Sequence, residues 1–118
     1  MKRETKFIRS IEKAFRALPE YLAWSNAVKL QYCCWKDCPV TGDIVKLEAH
    51  HYPFTLYEII KKIVEENPDK SAYEILGIVI KKHLDGEVES ITLCPYHHEM
   101  FHELAKKHKS PSQYLLEF

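Results

Sequence analysis

The chain has 118 residues, with Lys+Arg and Asp+Glu each totalling 17, so its net charge is zero with histidine neutral. That length suits one domain with a modest core and leaves room for a metal to act as a staple. The charge balance excludes a strongly basic nucleic-acid binder, and no apolar run approaches the ~20 residues of a membrane span.

The first element expected is a helix over residues 3–17, where Phe7, Ile11, Ala14 or Phe15, and Leu18 recur at helical spacing among Lys, Arg and Glu. This segment is charged and amphipathic rather than a secretory leader, which points to a reducing cytoplasm. It is also basic, with Lys2, Arg3, Lys6, Arg9, Lys13 and Arg16 against Glu4 and Glu12. A phosphate-binding face is therefore admissible although the total charge does not demand one. Pro19 ends the helix and opens a second over 20–28. Residues 29–35 are rich in strand formers and are expected to pair with a return strand, Ile44–Glu48, across the turn Cys38-Pro-Val-Thr-Gly-Asp43. Thr55 with Glu58, and Ser71 with Glu74, are capping boxes that open helices over 56–66 and 71–84. A short strand over 89–93 leads to a last helix over 96–108. The whole reads as a single α+β domain: N-terminal helices (1–30), a hairpin with a His-His step (31–54), a helical insertion (55–88), and a turn with a metal-binding helix (89–110).

Two groups of residues carry chemistry. In a reducing setting, cysteines read as metal ligands rather than disulfides. Cys33 or Cys34 with Cys38, and Cys94 with His97, form two short-spaced pairs on different elements, which suits a tetrahedral structural zinc. Cys34 shares strand parity with Leu30 and Tyr32 and is weakly preferred, with Cys33 as its alternative. The second group is His50 and His51 with His98 and His102. Residues four apart on a helix share a face, so His98 and His102 can grip one ion. Neighbours on a strand point opposite ways, so one of His50 and His51 can bind metal while the other faces substrate. A neutral imidazole takes a proton from water near pH 7, and a divalent ion neutralises phosphate charge. Together these suffice for phosphodiester hydrolysis.

Four motifs then give a family resemblance: Trp24-Ser-Asn-Ala-Val28, Cys38-Pro-Val-Thr-Gly42, Glu48-Ala-His50-His51-Tyr-Pro-Phe54, and Ile91-Thr-Leu-Cys94-Pro-Tyr-His97-His98-Glu-Met-Phe101-His102. In this order they resemble the HNH endonucleases, most closely the small phage-borne and homing-type members. The resemblance implies a ββα-metal core with a two-helix insertion. It implies His51 as the general base, His50 and His98 as ligands of the catalytic metal, and His102 as a further ligand. His97 stands where the second knuckle cysteine usually stands. Two positions depart from the pattern. Glu89 occupies the place of the central Asn, which braces the loop bearing the base, and Thr41 the place of a second knuckle cysteine after Cys38.

The function expected is a divalent-metal-dependent DNA endonuclease, with a structural Zn²⁺ and a second ion (Mg²⁺, Mn²⁺, Ni²⁺ or Zn²⁺). It would work in the cytoplasm of a bacterium or an infected cell. Three or four imidazoles favour a transition ion over Mg²⁺. RNA as an alternative substrate, a homodimer, and a phage or host protein partner are compatible with it. The rival reading is a non-catalytic zinc-stabilised module that binds nucleic acid or protein on an HNH frame.

Overall fold

A computed structural model describes residues 2–116. The described residues form five helices and a two-stranded antiparallel sheet, an α+β fold, divided into two compact units. The helical unit comprises residues up to 27 and 51–89; the other comprises 28–50 and 90 onward.

The helical unit contains α1 (Lys2–Arg16), α2 (Pro19–Val28, its last residue outside the unit), α3 (Leu56–Glu66) and α4 (Ala72–Leu84). Both insertion helices start where their capping boxes place them. Thr55 accepts from the Glu58 N–H at 3.1 Å and Ser71 from the Glu74 N–H at 3.2 Å, and each glutamate takes its cap residue's N–H in return. Once started, each helix has an apolar stripe to bury. Ile8, Ile11 and Phe15 of α1 close on Leu56, Ile60 and Ile63 of α3 and on Ile75 and Val79 of α4. All eight are at most 2 % exposed. The insertion therefore supplies most of this core. Ile60→Ala would leave a cavity at its centre and is expected to cost about 2–5 kcal/mol, read as a lower midpoint in urea at unchanged slope.

The second unit contains β1 (Glu48–His51, except its last residue), β2 (Ser90–Leu93), α5 (Pro95–Lys106) and a 3₁₀ turn (Ser112–Tyr114). Here the expected hairpin of 29–35 with 44–48 is corrected. The two arms of that stretch are joined by an isolated bridge, Tyr32 with Thr41, and by hydrogen bonds from Gly42 N to Gln31 O (2.9 Å) and Cys33 N to Val40 O (3.4 Å). Residues 44–47 form no strand, and Ile44 is 70 % exposed. The cause is competition for the backbone groups of 34–36. The Cys34 N–H donates to Thr92 O at 2.7 Å, the Lys36 N–H to Tyr114 O at 2.7 Å, and the Leu116 N–H to Cys34 O at 2.8 Å. The cysteine-bearing stretch thus pairs with β2 and with the tail. The regular pairing is instead β1 with β2.

Candidate metal sites

Both metal-ligand clusters lie in the second unit. The first joins Cys33 and Cys38, on either side of a tight turn whose Asp37 has φ 64°, to Cys94 and His97 at the start of α5. Pro95 at the first helical position fixes the entry into α5, so Cys94 and His97 sit one turn apart. The four ligand atoms all lie within 4.8 Å of one another. His97 Nδ1 is 3.4 Å from Cys94 Sγ and 3.7 Å from Cys33 Sγ. A tetrahedral zinc with bonds of about 2.0–2.3 Å sets its ligand atoms roughly 3.3–3.8 Å apart, so the donor set and its spacing fit that ion. The Cys94 N–H donates to Cys33 Sγ at 3.4 Å, a contact that would stabilise a thiolate.

Without a metal, burial pushes the Cys33 thiol up to about 11. Binding must therefore expel a proton from the Cys33 sulfur. Burial holds the His97 imidazole below its usual range, in the neutral form a metal needs. Trp35 lies flat against His97, with centroids 4.8 Å apart and planes at 9°, and Tyr114 stacks on Trp35 at 5.2 Å. The preference for Cys34 is corrected here in favour of Cys33. Cys34 Sγ accepts the Thr92 N–H at 3.4 Å, outside the cluster, and burial raises its thiol too. The parity argument needed a regular strand, which residues 29–35 do not form. All four thiols are free of disulfides.

The second cluster is His50, His98 and His102, whose ligand nitrogens also lie within 4.8 Å of one another. His98 and His102 are one turn apart on α5, with Nε2 atoms 3.0 Å apart, and the ring of His50 is 5.0 and 5.4 Å from theirs. Ligands at about 2.1 Å on adjacent corners of an octahedron stand about 3.0 Å apart, so this spacing suits a shared ion. Glu48 Oε2 is 3.5 Å from His98 Nδ1, on the side away from the shared Nε2 position, where a carboxylate orients a ligating imidazole. Burial, then the neighbouring His98, holds His102 below its usual range. His102 is exposed and the other two half-buried, so an ion there would keep open positions.

His51 belongs to the helical unit. It is only 5 % exposed, stacked on Trp24 with centroids 4.5 Å apart and planes at 17°. Its Nε2 lies 2.9 Å from Nε2 of His83, a residue the motifs did not single out. The available signal was its place on the apolar row Ile75, Val79, His83 of α4, where a histidine interrupts the aliphatic series. His83 Nδ1 is 2.7 Å from Val79 O. Burial holds the His83 imidazole below its usual range, and nearby Arg16 lowers it further against the opposing pull of the Val79 carbonyl. Trp24 Nε1 is the one buried side-chain nitrogen or oxygen among the described residues with no hydrogen-bond partner. At Glu89, the link to the segment after His51 is made by the main chain, whose oxygen accepts the Tyr52 N–H at 3.4 Å.

A family model described as bacteriophage G278-like virion protein matches residues 1–108. No curated protein and no solved structure matches the chain. No helix among the described residues is long and apolar enough to cross a membrane.

Proposed function

Since the chain belongs to the bacteriophage G278-like virion protein family, we propose that it is a particle-borne, divalent-metal-dependent endonuclease of the HNH type. The observation that carries this reading is the convergence of His50, His98 and His102 from a strand and a helix onto one ligand-sized space. The chain order of β1, β2 and α5, with His-His on the first strand and His98 and His102 on the helix, supports it as well.

The roles follow from the chemistry of the side chains. His50, His98 and His102 hold the ion, and Glu48 orients His98. His51, next to His50 in the chain, takes a proton from the attacking water. The water oxygen bonds to phosphorus as the bond to the leaving 3′ oxygen breaks. A bound divalent cation supplies charge neutralisation at the phosphate and at that leaving oxygen. Cys33, Cys38, Cys94 and His97 hold a structural zinc that fixes the start of α5, and with it the His98–His102 face.

The test is cleavage of supercoiled plasmid DNA by metal-stripped protein reloaded with zinc and then given Mg²⁺, Mn²⁺, Ni²⁺ or Zn²⁺ in turn. Cutting restored by a transition ion, and more weakly by Mg²⁺, is the expected result. A second reading rests on the burial of His51: a zinc-stabilised virion module that binds nucleic acid or protein without cutting. Folded, zinc-loaded protein that cuts with none of the four ions would favour it.

A further inference from the structure

We infer that His83 is a positioning residue for His51, holding its ring from α4 and fixing the His51 imidazole as the Nε2–H tautomer. This rests on the endonuclease reading for its catalytic meaning, and on hydrogen-bond geometry together with the burial of His83 for the tautomer.

The assignment runs along a chain of three groups within the helical unit. A main-chain carbonyl can only accept, so at 2.7 Å from Val79 O the Nδ1 of His83 must carry a hydrogen. Burial disfavours the charged imidazolium at His83, and the Arg16 guanidinium disfavours it further. A neutral His83 with hydrogen on Nδ1 presents a lone pair at Nε2. The two Nε2 atoms are 2.9 Å apart, a distance that requires a hydrogen between them. That hydrogen must come from His51. With Nε2 protonated, the basic lone pair of a neutral His51 lies on Nδ1.

The rings are held as well as paired. Trp24 stacks on His51, and its edge meets the His83 ring with centroids 4.9 Å apart. Phe15 packs on His83 with centroids 4.4 Å apart. Both histidines are at most 5 % exposed. In a site surrounded this closely, a flip of either imidazole would break a buried hydrogen bond. The His51 ring is thus braced from α4.

The experiment measures imidazole ¹⁵N shifts and plasmid cleavage in parallel, on zinc-loaded wild type, His83→Leu and His83→Gln. Wild-type His51 is expected to show its hydrogen on Nε2. His83→Leu removes the acceptor, so a population with hydrogen on Nδ1 should appear and kcat should fall by about 10- to 100-fold with KM for DNA little changed. His83→Gln places a carbonyl oxygen near the same point and should restore both the tautomer and the rate. A His51 hydrogen on Nδ1 in wild type overturns the inference, as does a His83→Leu variant that keeps wild-type tautomer and rate. Should His83→Leu not fold, wild type and His83→Gln still decide the tautomer. An Nε2–H His51 in a protein that cuts nothing would uphold the tautomer and sink the endonuclease reading alone.

Discussion

Cys94→Ser is expected to empty the cysteine site and unfold residues 28–50 and 90–116 while leaving the helical unit intact. The substitution is informative because Cys94 does two separable things. Its sulfur stands 3.4 Å from His97 Nδ1 within the ligand cluster, and its backbone caps α5. Serine is among the preferred N-cap residues, so the helix start is kept or improved and only the thiolate is lost. The buried apolar cluster of the chain lies in the other unit. The unit around the cysteines has a thin core, including Trp35, Leu47, Ile91, Leu93 and Leu115, so a metal held there would carry much of its folding. Structural zinc sites contribute on the order of 10 kcal/mol at neutral pH, more than so small a core can replace. Metal analysis should fall from about one tightly held zinc per chain to none. Hydrogen exchange should show amide protection lost in 90–106 and kept in α1, α3 and α4. Full zinc content with unchanged protection would mean that the cysteines only pack.

His51→Ala is expected to lower cleavage by about 10²- to 10⁴-fold, the usual worth of a general base. The ions should remain in place, because His51 is in neither ligand cluster. Metal titration would show unaltered binding at His50, His98 and His102. A melting curve is needed beside it, since the ring is buried against Trp24 and its removal also leaves a void. His51→Gln keeps a donor for His83 and fills most of that void, so it separates lost basicity from lost packing. Cleavage by a folded His51→Gln protein at the wild-type rate would show that His51 is not the base.

How much of this was legible in the sequence depended on how local the determinants are. Helices α3 and α4 could be read almost to the residue, because a capping box is complete within four positions and each box sits directly before its apolar stripe. The strands over 29–35 and 44–48 were misread for the opposite reason. Backbone partners of Cys34 and Lys36 lie at Thr92, Tyr114 and Leu116, far along the chain, and no local alternation reports them. The choice of Cys34 over Cys33 failed with that strand. His98 and His102 needed only the period of a helix to be paired, and α5 does place them together. His83 interrupts an apolar row, but nothing local ties it to His51, which stands 32 residues away, and one histidine on an apolar helix face is ordinarily a core residue.

The unit that holds the metal ligands is built from two stretches of chain, and the stretch between them folds into the other unit. During synthesis the segments have unequal prospects. By the time residue 89 has emerged, every residue of the helical unit is available, and its helices are local structures with their own start signals. Residues 28–50 must wait, with Cys33 and Cys38 as open thiols, until β2 and α5 follow. Closing a loop of this length costs only logarithmically more than closing a shorter one, and the prior folding of 51–89 shortens the effective search. The helical unit is then expected to form first, and the sheet and α5 to form together as the metal binds. Metal starvation would accumulate a half-finished chain with a completed helical unit rather than an unfolded one.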